Sequence, residues 1–530
     1  MMLILQNIAY IHPDKELLFD NINLTVNSQN KIALIGNNGS GKSTLLKIMA
    51  GILQASDGIV TTSSKPYYIP QIFGQFNDFT IAQALKIEEK LNVLNEILNG
   101  NVTENNLTVL NDDWTIEERC REALAYWHLK DFDLSQSMAN LSGGEKTKVF
   151  LAGISIHQPE IVLLDEPSNH LDTLGRQLLY DFIKSNSCTM IIVSHDRILL
   201  NQLTVIYELN KRGISVYGGN YDFYAEQKQI ENNALNQDLK SKEKALRKAK
   251  EIERETIERK QKLEHRGKKQ QKKEGTGKSM TDKMKNDAEK SASRLKNIHI
   301  EKVDYISQNL NNLRKELPDM DKMKFVFDNS SLHKGKMLFS AININHEYSN
   351  NLLWKQNLSF QIISGERISL KGLNGSGKTT LIKIILGEII PKFGIINRTE
   401  NKCVYIDQDY SLINNQLSVY EQTQRFNSSA LQEHEIKIRL NRFLFLKEYW
   451  DKTCNTLSGG EKMRLMLCCL TISNQAPDII ILDEPTNNLD IQNIEILIAA
   501  INEYKGTLIV VSHDQYFLEQ INVIRTIELI

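Results

Sequence analysis

Two lysines stand in the same surroundings. Lys42 follows Gly36, Asn37, Asn38, Gly39, Ser40 and Gly41 and precedes Ser43 and Thr44. Lys378 follows Gly372, Leu373, Asn374, Gly375, Ser376 and Gly377 and precedes Thr379 and Thr380. Glycines at this spacing let backbone N–H groups turn inward on an anion, and a following helix adds its positive dipole end. Lys42 and Lys378 would then lie against the β- and γ-phosphates, with the Ser43 and Thr379 hydroxyls offered to Mg²⁺. The flanks agree. KIALIG (Lys31–Gly36) reads as a short buried strand, and STLLKIMAG (Ser43–Gly51) reads as a helix closing at Gly51. Strand, loop and helix in that order make the context a phosphate-binding loop needs, and its occurrence twice excludes chance.

Further along, IVLLDE (Ile161–Glu166) and IIILDE (Ile479–Glu484) are apolar strands ending in paired acids. Carboxylates at a buried strand tip are costly unless a cation is near. Asp165 and Asp483 are therefore expected to hold Mg²⁺, and Glu166 and Glu484 to polarise an attacking water as general bases. The segments LSGGE at Leu141–Glu145 and Leu457–Glu461 offer a second anion site at a helix N-terminus. Its donors would be Ser142, Gly143 and Gly144 in one copy, and Ser458, Gly459 and Gly460 in the other.

These motifs recur in the same order. The glycine-rich loops are offset by 336 residues, the LSGGE segments by 316, and LLDEPSNHLD (Leu163–Asp172) with VSHD at Val193 by 318. Each half is thus one copy of a single α/β domain. The fall in offset gives the first copy about 20 extra residues, assigned to a helical insertion at about 86–113. The expected domains are 1–222, a linker over 223–317, and 318–530. From Asp238 to Lys302 the linker carries 22 Lys/Arg against 12 Asp/Glu and no aromatic residue or proline. It lacks material for a core, but its residues are strong helix formers. It reads as an antiparallel hairpin of long helices, roughly Phe223–His265 and Thr281–Leu317, with a tip over about 262–282. GTGKSMT (Gly275–Thr281) makes the turn and Pro318 the stop.

Composition bounds the rest. Across 530 residues, 64 Lys+Arg balance 65 Asp+Glu, which excludes a uniformly basic nucleic-acid binder. No apolar stretch approaches the ~18–20 residues of a membrane helix, and MMLILQNIAYIHPDKE lacks a signal pattern. The six cysteines show no CxxC spacing and read as buried residues in a reducing compartment. A cytoplasmic location follows as the expectation.

A phosphate-binding loop and LSGGE in one domain resemble the ATP-binding cassettes, so the fold expected is two P-loop NTPase cassettes in tandem joined by the helical hairpin. The resemblance implies a head-to-tail sandwich, formed here within one monomeric chain. Gly36–Ser43 would face Leu457–Glu461 across one ATP, and Gly372–Thr379 would face Leu141–Glu145 across the other. It also implies that Gln71 (YYIPQ) and Gln408 (VYIDQ) contact Mg²⁺ and water, and that His195 and His513 contact the γ-phosphate. Tyr348 would stack on adenine; in the first half the candidates are Tyr10 and His12.

EPSNHLD, EPTNNLD and GGNYDFYAEQK (Gly218–Lys228) ahead of a charged hairpin further resemble the ABC-F family of ribosome-associated ATPases. That resemblance implies ATP hydrolysis and a linker reaching ribosomal RNA and the P-site transfer RNA. Lys268, Lys269, Lys272 and Lys273 at the hairpin tip would contact RNA. A general translation role and antibiotic-resistance ribosomal protection both stay open. Rival readings are a transporter ATPase with a separate membrane partner and a DNA-associated cassette protein.

Overall fold

The computed structural model describes residues 2–13, 15–210, 213–271, 300–313, 335–348, 351–473 and 476–529. It divides into a unit of Met1–Tyr224 with Met323–Ile530, which holds both cassettes, and a linker unit, Ala225–Lys322.

Each cassette is built on a parallel sheet whose strands are short runs of branched apolar residues. In the first, the order is Tyr67–Ile69, Ile161–Asp165, Thr189–Val193, Lys31–Ile35 and Val205–Asn210, with Gly213–Tyr217 added antiparallel at the edge. The second repeats it with Cys403–Ile406, Ile479–Asp483, Thr507–Val511, Arg367–Lys371 and Arg525–Glu528, all parallel. Every residue of Ile161–Asp165, Thr189–Val193 and Thr507–Val511 is buried, as expected of strands covered on both faces. By contrast, the three-stranded antiparallel sheet Leu17–Val26, Leu3–Ile11, Asp57–Thr62 buries one face. Its Ile22, Leu24 and Val26 point inward at alternate positions. That face packs with Leu45 and Leu46 of the helix Lys42–Met49 and with Ile161, Leu163 and Ile191 of the parallel sheet. The second cassette has the same arrangement, with Trp354 added to its core. Cys120, Cys454, Cys468 and Cys469 are buried and Cys188 and Cys403 half-buried, all as free thiols.

The first cassette's additional segment forms the helices Glu88–Leu98 and Glu104–Leu110. Thr103 caps the second by accepting from Asn106 N–H, and Asn111 ends it in the left-handed region at φ 50°.

One helix runs over Tyr221–Gln271, 51 residues, all but its first four in the linker unit. Its limits differ from the sequence expectation at both ends. It starts at Tyr221 rather than Phe223 because the Asn220 side chain accepts the Phe223 N–H at 3.2 Å, an N-cap. It passes His265 because Arg266, Lys268, Lys269, Gln270 and Gln271 favour helix enough to absorb Gly267, which costs about 1 kcal/mol. Positions at least partly buried recur at alternating spacings of three and four at Leu239, Lys242, Leu246 and Ala249. Val303, Ile306, Leu310 and Leu313 do the same in a helix over 300–313, where Leu310 is buried. Each helix thus carries a row of half-buried or buried positions along one side. Lys268 and Lys269 lie on the first helix. Lys272, Lys273, the Gly275–Thr281 turn and Pro318 lie outside the described residues.

No helix among the described residues is long and apolar enough to cross a membrane.

Candidate functional site

The parallel strands deliver three loops to one edge of each sheet. Lys31–Ile35 runs into the glycine-rich loop, Ile161–Asp165 into the acids, and Thr189–Val193 into His195. Open α/β sheets bind ligands at this carboxyl edge. Gly36 cannot carry a side chain: a Cβ there would lie 2.5 Å from the Leu209 carbonyl oxygen and 2.9 Å from Ser40 Oγ, at φ 152°. The Lys42 ammonium is drawn over the loop, donating to Gly36 O at 2.7 Å and Asn37 O at 3.2 Å. In the second cassette Lys378 donates to Gly372 O at 2.8 Å and Leu373 O at 3.1 Å. Burial holds both lysines below their usual pKa, against the pull of the nearby acids.

Those acids are tightly placed. Tyr68 O–H donates to Asp165 Oδ2 at 3.2 Å, and Tyr405 O–H to Asp483 Oδ2 at 2.8 Å. Asp165 Oδ1 is buried without a hydrogen-bond partner among the described residues. Glu166 and Glu484 adopt φ of 52° and 47°, a left-handed backbone unusual for glutamate. Their N–H groups donate to Val193 O at 2.9 Å and Val511 O at 2.8 Å, which keeps each glutamate locked to the sheet edge. Burial pushes Glu166 up to about 8 and Glu484 up to about 7. His195 Nε2 lies 3.3 Å from Glu166 Oε1, and His513 Nε2 3.4 Å from Glu484 Oε1. Neither approach has hydrogen-bond geometry. Burial depresses both histidines, His195 far below the usual value and His513 to about 4, so both imidazoles are neutral near pH 7.

The LSGGE segments start the helices Gly143–His157 and Gly459–Ile472. Ser142 Oγ accepts from Glu145 N–H, and Glu145 Oε2 accepts from Ser142 N–H at 2.8 Å. Ser458 and Glu461 form the same reciprocal cap. The closing glutamate of the motif therefore fixes the serine at the helix start, a reading available from the Ser-x-x-Glu spacing alone.

The two cassettes meet at these sites. A cavity of about 320 Å³ is lined by Lys42, Ser43, Thr44, Gln71, Asp165, Glu166 and His195 together with Ser458 and Asn488 of the other cassette. It is within the size range of small-ligand sites. His12 lines it too, whereas Tyr10 packs beside Phe19 against the core. Tyr348, at the equivalent position in the second cassette, is half exposed with its hydroxyl 3.4 Å from Thr380 Oγ1. Gln408 follows the strand Cys403–Ile406 and is exposed. Across the seam, Asn38 N–H donates to Asp490 Oδ2 at 2.6 Å, Asn38 Nδ2 to Asn488 O at 3.0 Å, and Gln71 Nε2 to Asn488 Oδ1 at 3.2 Å. At the second site Asn374 Nδ2 donates to His170 O at 3.3 Å, and Thr173 Oγ1 lies 3.2 Å from His513 Nδ1. Beside them, Arg197 of the first cassette bonds to Glu495 of the second and lies 3.7 Å from the centre of the Tyr516 ring. Sequence reading missed Asp490, Thr173, Arg197 and Glu495, because each acts on the opposite half of the chain.

The ABC transporter family profile matches residues 19–169 and 355–487, over half of the chain. The ATP-binding protein Uup of Buchnera aphidicola subsp. Schizaphis graminum (strain Sg) is 30% identical, the match covering 97% of this chain and 78% of Uup. Uup of Escherichia coli (strain K12) is 28% identical over 95% of this chain and 76% of its own. A solved complex of archaeal ribosomal stalk protein aP1 and archaeal ribosome recycling factor aABCE1 aligns with a TM-score of 0.55 at 18% identity, covering 97% of this chain and 86% of that one. The fold and its paired nucleotide sites are those of ATP-binding cassettes, and the chain belongs to that family. Within it, the tandem cassettes and the Uup-type relatives make this an ATP-binding protein of the ABC-F family.

Proposed function

We propose that the protein is an ATPase that acts on the ribosome, and that its linker meets ribosomal and transfer RNA. The observation that carries the ATPase reading is the cavity in which Lys42, Ser43, Asp165 and Glu166 of one cassette share walls with Ser458 and Asn488 of the other. ATP bound there is enclosed from both sides. Its phosphates would take the glycine-rich loop N–H groups and Lys42, and Ser458 would reach them from the opposite wall.

The donors suit Mg²⁺. A hydroxyl (Ser43 or Thr379) and a single carboxylate (Asp165 or Asp483) leave the remaining positions to phosphate oxygens and water, as this ion prefers. The buried, unpartnered Asp165 Oδ1 is consistent with a cation ligand. Gln71 and Gln408 would approach from the side. Bound Mg²⁺ supplies charge neutralisation on the transferred phosphoryl group. Glu166 and Glu484, buried beside His195 and His513, are suited to take the proton of the attacking water, and the neutral imidazoles to donate to the γ-phosphate.

Support for the ribosome comes from the recycling factor named in the structural comparison and from the linker's charge. Between Arg259 and Lys278 stand nine Lys/Arg and two acids, on a chain of net charge −1. With no aromatic residue for base stacking, such a segment suits phosphate contacts that are independent of sequence. Replacing Lys268, Lys269, Lys272 and Lys273 with Gln should leave basal ATPase unchanged, weaken co-sedimentation with ribosomes and flatten its salt dependence. Unchanged binding across a salt series would move recognition to the cassette surfaces. Raised resistance to ribosome-targeting antibiotics on expression would assign the protein to ribosomal protection; ribosome binding without it, to translation.

A further inference from the structure

The two nucleotide sites receive different chemistry from the opposite cassette. After Asp172 the first cassette continues Thr173, Leu174, Gly175, Arg176; after Asp490 the second continues Ile491, Gln492, Asn493, Ile494. These segments correspond at the 318-residue spacing, and each begins the helix that follows the acidic strand, Thr173–Ser185 or Ile491–Glu503. Thr173 crosses the seam to His513, its Oγ1 lying 3.2 Å from Nδ1. Its counterpart Ile491 has no polar side-chain atom. Correspondingly, His195 Nδ1 is buried with no hydrogen-bond partner among the described residues.

A neutral imidazole carries its single proton on one nitrogen, and the partner of the other nitrogen selects which. His513 Nε2 faces Glu484 Oε1 at 3.4 Å. If Nδ1–H donated to Thr173, the bare Nε2 lone pair would face that carboxylate. If the Thr173 hydroxyl donates to Nδ1, Nε2 carries the proton and faces the carboxylate as N–H. With Glu484 ionised, as a general base must be, the second arrangement is the electrostatically favoured one, and it is also the state able to donate to a terminal phosphate.

We propose that Thr173 is a positioning residue for the second nucleotide site, holding His513 as the Nε2–H tautomer, and that this site hydrolyses ATP faster than the first, where Ile491 replaces it. The inference rests on the proposed ATPase reading, but half of its test does not. ¹⁵N-histidine spectra of the full chain without nucleotide, with the His513 signal assigned through His513→Gln, report the tautomer directly. Wild-type protein should give the Nε2–H pattern. Thr173→Val, nearly isosteric at an exposed helix start, should give a mixed pattern, and Thr173→Ser should restore the single one. Single-turnover hydrolysis then separates the sites: a Glu166→Gln background reports the second and Glu484→Gln the first. In the former, Thr173→Val should slow hydrolysis about ten-fold at unchanged nucleotide affinity, the weight of one hydrogen bond made by a reacting group. In the latter it should change nothing. A wild-type tautomer pattern in Thr173→Val, or unaltered second-site turnover, overturns the proposal. A first site as fast as the second overturns its kinetic half. Hydrolysis at neither site in the two backgrounds, with a normal tautomer response to Thr173→Val, would refute the ATPase reading and leave the positioning role standing.

Discussion

Replacing Arg197 with Met removes a charge from the seam between the cassettes while keeping most of the side chain's length. The guanidinium is 14% exposed, bonds to Glu495, and lies 3.7 Å from the Tyr516 ring centre and 5.3 Å from that of Tyr221. A hydrogen bond to a charged group contributes about 1.5–3 kcal/mol. A partly buried cation–π contact adds roughly 0.5–2 kcal/mol. Because the Glu495 side chain is 33% exposed, water screens part of this, and the lower ends of both ranges apply. The cost to the joined arrangement is then about 2 kcal/mol, or roughly a 30-fold shift towards separated cassettes. Single-molecule energy transfer between labels at the exposed positions Leu98 and Ile390 would read the populations. The double variant Arg197→Met, Glu495→Gln should recover part of the loss, since no carboxylate is then left without its partner. If Arg197→Met leaves the distance distribution unchanged, or if the two substitutions add without interacting, the joint contributes nothing to holding the cassettes together.

Two further outcomes test the nucleotide chemistry. Glu166→Gln with Glu484→Gln should retain ATP affinity in a fluorescent-nucleotide titration while phosphate release falls roughly 10²–10⁴-fold, and wild-type release would disprove both assignments. Gly36→Ala, whose Cβ would lie 2.5 Å from Leu209 O, should abolish photolabelling of the first glycine-rich loop by an azido-ATP and spare the second; equal labelling of both loops would contradict the strain argument.

The glycine-rich loops, acids, LSGGE segments and histidines are legible in the sequence because their chemistry is local. A phosphate needs consecutive N–H groups, so the residues that supply them are neighbours in the chain. The contacts that join the sites are not legible for the opposite reason. Asn38 and Asp490, or Arg197 and Glu495, are hundreds of residues apart, and neither member of a pair looks unusual in its own segment. Only the repeat hints at them, since Thr173 against Ile491 and Arg197 against Gln515 break its symmetry. The Asn220 cap is readable but is overshadowed by the aromatic run that follows it. The helix beyond His265 is cut short because residues from about 262 are assigned to the tip, although most of them up to Gln271 favour helix. The 336-residue spacing pairs His12 with Tyr348, although Tyr10 carries the ring type expected. Strand register sets them apart, with Tyr10 opposite Phe19 and His12 beyond the strand's end.

Arg197 also touches Tyr221, the first residue of the helix that continues through Gln271. Tyr221 is buried, so the first turn of that helix is gripped by the same cluster that joins the cassettes. Tyr221 is thus a shared node: a substitution there disturbs the packing around Arg197 and the start of the helix together.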